Sequence, residues 1–250
     1  MNMVPSVEKK VALVTGGGTG VGKAVCLALA QLDYSIAVNY SRSEVDAQSV
    51  CSTIRKSGGK AIPVRCDVGK SSDVQHMVNT ILDVFGRVDC LVCNAGTTHF
   101  VDYLDLNKLS DDVWEDIFQT NIMGSFYCFR ECIGELKKNK GSVVFVTSVA
   151  GITGMGSSIP YAVSKGALNS MTKSLARTFG PDVRVNAVAP GPITTRWLEG
   201  HEDRIADYLK QAPLAKACSP EDVAEVVVYL VAQTKMTTGQ ILVVDGGRTM

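Results

Sequence analysis

The chain has 250 residues, 46% of them hydrophobic and 20% charged, and its 25 basic residues balance its 25 acidic ones. A net charge near zero provides no basic surface for nucleic acid or for an anionic membrane. No apolar run reaches the roughly 20 residues of a membrane-spanning helix, and the start MNMVPSVEKK lacks the apolar stretch of a signal peptide. We therefore expect a cytoplasmic protein with no nucleic-acid and no membrane partner.

Valine-rich apolar runs alternate with longer helical patterns along the chain. The predicted strands span 10–15, 35–40, 60–66, 88–93, 141–147, 183–189 and 240–245, and helical patterns between them include 21–32, 71–85, 113–138 and 219–232. Continuous apolar strands are buried on both faces. The alternation predicts a single-domain α/β protein over 1–250, a doubly wound, Rossmann-type sheet of seven parallel strands with helices on both faces. Ligands of such sheets bind at the carboxyl ends of the strands.

The eight cysteines and three histidines do not form a metal-binding pattern. Cys90 and Cys93 form a CxxC pair inside the apolar run VDCLVCNAG, but no second pair stands at the spacing of a zinc site. His76, His99 and His201 are scattered, and His99 either borders a pocket or belongs to a plain loop. We expect reduced, mostly buried thiols and no metal.

A glycine-rich turn follows the first predicted strand. The segment TGGGTGVGKAV, 15–25, has glycines at 16, 17, 18, 20 and 22 and leads directly into a helix. Such a turn brings backbone N–H groups and a helix dipole close to an anion, which favours a pyrophosphate. The spacing is not that of a Walker loop, and it departs from strict GxGxxG because Val21 takes the third glycine position. A purely structural turn is the alternative.

Several motifs together resemble the short-chain dehydrogenase/reductase family. They are Gly16-x-x-x-Gly20-x-Gly22, NAG at 94–96, Asn121, Ser148, Tyr161-x-x-x-Lys165 and PGPITT at 190–195. Each motif is modest alone, but all of them occur in order along the predicted fold. The resemblance covers the chain from about residue 9 to residue 247.

The spacing of Tyr161 and Lys165, four residues apart at the start of a predicted helix, places both on one helical face. A free tyrosine has a pKa near 10. A neighbouring ammonium favours the phenolate, and an oxidised nicotinamide adds positive charge. A pKa lower by about two units or more suits general acid–base catalysis. Ser148, at a strand end, can hydrogen-bond a substrate carbonyl. The alternative is an ordinary half-buried tyrosine beside a solvated surface lysine.

The resemblance implies the roles of the site residues. Tyr161 would donate the proton in reduction, Ser148 would orient the substrate, Lys165 would also hold the nicotinamide ribose, and Asn121 would position a water in a proton relay. The implied cofactor contacts are Gly16, Gly18, Thr19, Gly20, Val21, Tyr40, Ser41, Arg42, Asp67, Val68, Asn94, Ala95, Gly96, Tyr161, Lys165, Pro190, Gly191, Ile193 and Thr195. The hydride chemistry belongs to the cofactor.

The end of the second predicted strand bears on the choice of cofactor. An NAD-selective protein of this fold typically has an acidic residue there, but Asn39 and Tyr40 are followed by Ser41 and Arg42. An arginine can contact a 2′-phosphate through two hydrogen bonds, so we expect NADP(H). The alternative is that Arg42 only pairs with the acids of the next helix. Thr19 stands where many NADP-preferring relatives have a second basic residue, so we expect a preference that is not absolute.

The segment AVNYSRSEVDA, 37–47, resembles the 3-oxoacyl-acyl-carrier-protein reductase branch. The expected activity is the reversible reduction of a ketone, and a 3-oxoacyl thioester is one candidate substrate. Carrier-dependent bacterial relatives typically have basic residues after the catalytic helix, whereas TFGPDVR has none before Arg184, and Gly134 takes another position that is often basic. A free small ketone and a coenzyme A thioester stay open, as does docking of a carrier protein. A dinucleotide sensor without catalysis and a scaffold are the alternatives from other classes; the Tyr161–Lys165 pair favours an enzyme.

The resemblance also implies an assembly and a lid. In the expected homotetramer, 113–138 and 160–179 pair across one two-fold axis, and 219–232 and the final strand form another interface. The segment at about 194–215 is the expected substrate lid. It contains His201, and its Trp197 and Leu198 either line the pocket or pack the lid against the body.

Overall fold

The computed structural model describes residues 9–196, 200, 206, 208 and 210–250. Its strands are β1 (Val11–Val14), β2 (Ser35–Tyr40), β3 (Ala61–Arg65), β4 (Cys90–Cys93), β5 (Ser142–Val146), β6 (Arg184–Pro190) and β7 (Ile241–Val244). All neighbours pair in parallel, in the order β3-β2-β1-β4-β5-β6-β7. The seven predicted strands are confirmed, and their ends differ from the prediction by at most two residues.

Helices cover both faces of this sheet. They are α1 (Gly20–Gln31), α2 (Glu44–Lys56), α3 (Ser71–Phe85), α4 (Asp111–Phe118), α5 (Gly124–Lys138), α6 (Ala150–Thr153), α7 (Ile159–Phe179) and α8 (Pro220–Val228). Buried side chains of α1, α2 and α8 form one apolar cluster with the sheet, and those of α3, α5 and α7 form a second. The doubly wound architecture is therefore confirmed.

The predicted helix 113–138 is divided by a wider turn. Between α4 and α5 the residues Gln119–Met123 form a π-helical turn, which contains the fully buried Asn121. Turns of this kind are often found at functional sites, because the extra residue redirects a side chain. A periodic apolar pattern does not reveal such a turn.

The start of α8 follows the capping rules that its sequence suggested. The Ser219 hydroxyl accepts a hydrogen bond from the Asp222 backbone N–H at 3.1 Å, and the Ser219 backbone N–H donates to the Asp222 carboxylate at 2.7 Å. Pro220 takes the first helical position. This reciprocal box satisfies two N–H groups that the helix itself leaves unpaired. A π-helical turn, Tyr229–Gln233, extends α8 towards the predicted end.

All eight cysteines are buried free thiols, as predicted. Cys90 and Cys93 point into opposite apolar clusters, because side chains three residues apart in a strand face opposite sides of the sheet. Burial raises the pKa of Cys90 to about 12. Across the described part of the chain, no group of histidine, cysteine and acidic residues could hold a metal ion, and no helix is long and apolar enough to cross a bilayer.

Candidate active site

A cleft of about 1610 Å³ opens along the carboxyl ends of the strands. It lies over the point where the strand order reverses, between β1 and β4, which is where dinucleotides bind in this architecture. Ser148 lines it, as do these predicted cofactor contacts: Gly16, Gly18, Thr19, Gly20, Val21, Ser41, Arg42, Asp67, Val68, Asn94, Ala95, Gly96, Tyr161, Lys165, Pro190, Gly191, Ile193 and Thr195. Two predicted residues, Tyr40 and Asn121, do not line the cleft.

The glycine-rich turn has a backbone shape that larger residues would disturb. Gly16 has a φ of +61°, in the left-handed region that favours glycine. A Cβ atom on Gly22 would lie 2.2 Å from the Gly16 carbonyl oxygen, far inside contact distance. Thr19, the N-cap of α1, makes no side-chain capping hydrogen bond. The first N–H groups of α1 are thus left for another acceptor, which fits a pyrophosphate.

The NAG motif holds this turn in place. The Asn94 side chain donates to the carbonyl oxygens of Thr15 at 3.0 Å and Gly16 at 3.2 Å. In return, the Thr15 hydroxyl accepts from the backbone N–H groups of Asn94 at 2.9 Å and Ala95 at 3.0 Å. The ends of β1 and β4 are therefore tied together beneath the cleft.

Asn39 ties the next strand ends together in the same way. Its side-chain oxygen accepts from the Gly16 N–H at 3.1 Å, and its amide donates to the carbonyls of Cys66 at 3.1 Å and Val64 at 3.3 Å. Asn39 is almost fully buried. It was recognised from the sequence only as a strand end without a charge, because nothing in the pattern indicated this bracing role.

Lys165 is a buried residue, so the solvated-lysine alternative is wrong. It is only 5% exposed, and its ammonium donates to the Val146 carbonyl, at the end of β5, at 2.9 Å. The ammonium lies 5.6 Å from the centre of the Tyr161 ring. Burial lowers the pKa of Lys165 to about 8, because the charged form loses its hydration.

The pKa of Tyr161 shifts in the opposite direction to the one expected. Burial raises its pKa to about 12, and the opposing effect of a hydrogen bond with Ser148 is smaller. The lower pKa predicted from the sequence is wrong, because desolvation of the phenolate on burial outweighs the effect of a neighbouring charge. Tyr161 is therefore a neutral phenol around pH 7, which is the form that can donate a proton.

Ser148 follows β5 and lies at the same point of the cleft. Its hydroxyl accepts from the Ala150 backbone N–H at 3.1 Å and takes part in the hydrogen bond with Tyr161. Ser148, Tyr161 and Lys165 are therefore brought together as predicted, with two hydroxyls side by side and an amine beneath the ring.

Asn121 lies behind this group. Its side-chain oxygen accepts from the Thr97 N–H at 2.8 Å, and its amide donates to the Thr97 carbonyl at 3.1 Å and the Ser164 hydroxyl at 3.0 Å. The Ser164 hydroxyl in turn donates to the Tyr161 carbonyl at 2.7 Å. Asn121 thus braces α7 against the segment after β4, and its part in a proton relay stays a prediction.

The end of β2 presents Ser41 and Arg42 to the cleft, both of them exposed. Tyr40 does not line the cleft. Burial raises the pKa of Tyr40, and the charge of Glu44 and its hydrogen bond to the tyrosine raise it further. Asp46 is paired with Arg196 at 2.9 Å. Both acids in the first turn of α2, Glu44 and Asp46, therefore have other partners, and no ion pair of Arg42 is found among the described residues.

One further arginine beside this position was missed by the sequence argument. Arg65 lines the cleft and ends β3, where it lies opposite Tyr40 in the parallel pairing. The signal was available, because neighbouring parallel strands end at the same edge of the sheet. Two guanidinium groups, those of Arg42 and Arg65, are thus presented at the adjacent ends of β2 and β3.

The region of the expected lid is described only in part. Trp197, Leu198 and His201 lie outside the described residues, whereas Tyr208 and Gln211 line the cleft. In the loop after β4, His99 does not line the cleft but hydrogen-bonds Asp116, which does, at 2.8 Å.

The chain is similar to known reductases over almost its whole length. A family profile described as enoyl-(acyl carrier protein) reductase matches residues 16–249. A Streptomyces violaceoruber protein, assigned as ketoacyl reductase 2 of the granaticin polyketide synthase, is 42% identical over 244 residues, 96% of each chain. The 3-oxoacyl-[acyl-carrier-protein] reductase FabG of Staphylococcus epidermidis is 34% identical over 245 residues, 96% of this chain and 99% of that one.

Solved structures agree with this similarity. A structure assigned as a short-chain dehydrogenase/reductase from Burkholderia xenovorans has a TM-score of 0.92 and 31% identity, and covers 98% of this chain and 99% of its own. The 3-oxoacyl-[acyl-carrier protein] reductase of Brucella melitensis has a TM-score of 0.88 and 29% identity, and the match covers 98% of this chain and 93% of that one. The chain belongs to the short-chain dehydrogenase/reductase family. It is an oxidoreductase, and its cofactor is a nicotinamide dinucleotide.

Proposed function

We propose that the protein reduces a ketone to a secondary alcohol with NADPH and catalyses the reverse oxidation. The observation that carries this proposal is the meeting of Ser148, Tyr161 and Lys165 in one cleft with the glycine-rich turn. The similarity to proteins described as ketoacyl and 3-oxoacyl reductases supports it.

The residues of the chain supply the proton and the orientation. A bound nicotinamide cofactor would supply the hydride to the carbonyl carbon. The Ser148 hydroxyl would donate a hydrogen bond to the carbonyl oxygen and stabilise its growing negative charge. The Tyr161 phenol, which keeps its proton because burial raises its pKa to about 12, would transfer that proton to the same oxygen. The buried ammonium of Lys165, held by the Val146 carbonyl, would contact the ribose of the cofactor.

Preference for NADPH over NADH is the second part of the proposal. Asn39 and Tyr40, which end β2, have no carboxylate, and the Asp46 carboxylate that lines the cleft nearby is paired with Arg196. The guanidinium of Arg65 stands at the neighbouring strand end. A 2′-phosphate would find charge-assisted hydrogen bonds here. A ribose 2′-hydroxyl would not find the acidic acceptor that NAD-selective sites offer.

For the substrate we propose a 3-oxoacyl thioester, with a free small ketone as the alternative. The descriptions of the relatives favour the thioester. Docking of a carrier protein has less support, because Gly134 offers no side chain. Beyond its own helical turn, no atom of the described residues lies within 4 Å of where its Cβ would be. Basic side chains would be needed at such positions to meet an acidic partner.

A ketone panel tests the proposed function. Purified protein would be mixed with NADPH and with 3-oxoacyl thioesters of pantetheine and coenzyme A, free 3-oxo acids, their esters and simple ketones. We expect NADPH consumption with at least one 3-oxoacyl thioester and the matching alcohol as product. Turnover of simple ketones alone would favour the alternative. Binding of NADPH without turnover of any ketone would contradict the proposal and favour a sensor.

We also propose that the protein works as one domain in a homotetramer. The edge strand β7 leaves Val243 43% exposed, and Tyr229, after α8, is equally exposed. An open sheet edge with an exposed valine is commonly covered by a partner. Light scattering at micromolar concentration should give four times the mass of the chain. A monomer would contradict the assembly, and Val243→Lys should lower the mass if β7 lies in an interface.

A further inference from the structure

The C-terminal turn holds Arg248, which has no part in the proposed chemistry. The Asp245 carboxylate accepts hydrogen bonds from the backbone N–H groups of Gly247 and Thr249, both at 2.9 Å. The Tyr208 hydroxyl donates to the Asp245 carbonyl at 2.9 Å. The backbone on each side of Arg248 is therefore fixed, and the residue is held at a defined position in the fold.

The guanidinium of Arg248 lies at the wall of the cleft with little to bind it. Its central carbon is 4.7 Å from the centre of the Tyr208 ring. Arg248 lines the cleft, and its Nε is buried and has no hydrogen-bond partner. Within the described residues, no acidic side chain forms an ion pair with it. Burying a guanidinium donor without an acceptor is costly. Arg248 as a whole is only half-buried at the cleft wall, so an anion that enters the cleft reaches its guanidinium and offsets part of that cost.

The ring beneath the guanidinium is packed against the wall of the same cleft. A Cβ atom on Gly191 would lie only 2.0 Å from the Tyr208 hydroxyl. Gly191 follows β6 and lines the cleft. Gln211, three residues after Tyr208 in the sequence, also lines the cleft. Stacking on an aromatic face orients the planar guanidinium and leaves its N–H groups for a ligand.

The position of Arg248 separates it from the binding region for the cofactor phosphate. Arg42 follows β2 and Arg248 follows β7, five strand spacings away in the sheet order, which corresponds to roughly 24 Å. Ser148 follows β5, only two spacings from β7, or about 10 Å. Arg248 is thus far from the group that Arg42 would bind and near the point where the carbonyl would lie.

We propose that Arg248 binds an anionic oxygen group of the substrate, a carboxylate or a phosphate. The proposal rests on the proposed function, since it assumes that a ketone lies at Ser148 and Tyr161. It narrows the substrate to ketones that carry a negative charge. The competing explanation is that Arg248 only stacks on Tyr208 to hold the C-terminal turn against the cleft.

Two matched substrate pairs test the proposal. One pair is a 3-oxo acid and its methyl ester; the other is a 3-oxoacyl thioester of 4′-phosphopantetheine and the same thioester of pantetheine. Within each pair the charged member alone has the anionic group. We expect kcat/KM to be roughly tenfold or more higher for the charged member of one pair, because a site built for a charged hydrogen-bonding group rejects an analogue that lacks it. The pair that shows the preference identifies carboxylate or phosphate.

Variants then assign the preference to Arg248. Arg248→Ala should remove it, chiefly by raising KM for the charged member, and should change the neutral member by less than about twofold. Arg248→Lys should keep part of it, since a lysine retains the charge but not the planar fork. Lys60→Ala is a matched control that also removes one positive charge, at an exposed position before β3. It should leave the ratio of kcat/KM unchanged within both pairs.

The outcomes are distinct. Equal kcat/KM for both members of each pair in the unmutated protein would contradict the proposal. An equal loss of kcat/KM for both members in Arg248→Ala would also contradict it, because such a loss indicates a structural role for the arginine. If none of the four ketones is turned over, simple ketones decide the proposed function, which fails when these are not reduced either. Calorimetric titration of the NADPH-loaded protein then decides the inference: tighter binding of a charged member, lost in Arg248→Ala, supports it, and equal binding contradicts it.

Discussion

The ends of β1 to β4 and the ends of β5 to β7 form the two halves of one cleft, but they are built differently. In the first half, glycines and two asparagines shape the backbone, and the side chains of Asn39 and Asn94 have their hydrogen-bond partners inside the protein. In the second half, Tyr161, Lys165 and Arg248 present titratable or charged groups whose behaviour depends on burial. Geometry therefore dominates the cofactor half, and electrostatics dominates the substrate half.

This difference predicts how each half responds to mutation. A substitution of a glycine that shapes the cofactor half should disturb the backbone and thus affinity for the dinucleotide. A substitution of the proton donor in the substrate half should leave shape and cofactor affinity intact and change the rate of the chemical step. Four experiments, from the largest expected effect to the smallest, test this contrast.

Tyr161→Phe removes the proton donor and keeps the ring. We expect the rate of ketone reduction to fall by about 10²–10⁴, the range ascribed to general acid–base catalysis, while NADPH affinity stays within about twofold of the parent value. Steady-state kinetics and fluorescence titration of NADPH measure the two effects. Tyr229→Phe is the matched control, because it removes a hydroxyl outside the cleft and keeps the ring that the proposed interface would cover. Turnover close to that of the parent would show that the assigned mechanism is wrong.

Gly22→Ala should instead weaken the binding of NADPH more than it slows the chemical step. The new Cβ would lie 2.2 Å from the Gly16 carbonyl oxygen, so the glycine-rich turn must shift. We expect NADPH affinity to fall at least tenfold, about 1.4 kcal/mol, with a smaller loss of kcat at saturating cofactor. Gly134→Ala, where nothing lies within 4 Å, is the control. An unchanged affinity for NADPH would mean that the turn does not shape the cofactor site.

Arg42→Ala affects the same half without changing its backbone. We expect KM for NADPH to rise by roughly tenfold and KM for NADH to stay nearly constant, because only the 2′-phosphate loses a partner. Lys56→Ala, an exposed lysine at the end of α2, removes the same charge elsewhere. If both cofactors weaken equally in Arg42→Ala, the arginine holds the loop rather than the phosphate.

The pH dependence of reduction tests the electrostatics of the substrate half. Burial lowers the pKa of Lys165 to about 8, so the ammonium is present below that pH and is lost as the pH rises through it. Tyr161, with a pKa of about 12, keeps its proton throughout. We expect kcat/KM for the ketone to fall roughly fourfold between about pH 7 and about pH 8.5. A flat profile over that interval would show that the charge of Lys165 does not support the reaction.

The same contrast explains which parts the sequence could predict. The strands were predictable because valine-rich runs buried on both faces have a simple pattern. The shared helical face of Tyr161 and Lys165 follows from their spacing, whereas the choice of Ser148 as their partner came from the family resemblance. The direction of the Tyr161 pKa shift could not be predicted, because desolvation depends on atoms brought together by folding. The bracing by Asn39 and the π-helical turn at Asn121 depend on long-range hydrogen bonds that leave no local pattern. Arg248 was missed because no motif surrounds it.

The most direct test of the account is a comparison of kcat/KM for NADPH and NADH in the unmutated protein, with a saturating 3-oxoacyl thioester as the ketone. The structure places Arg42 and Arg65 at adjacent strand ends of the cleft, so a 2′-phosphate should be favoured. We predict that kcat/KM is at least tenfold higher with NADPH, about 1.4 kcal/mol of discrimination. Equal or better kinetics with NADH, or no consumption of either cofactor, would contradict the account.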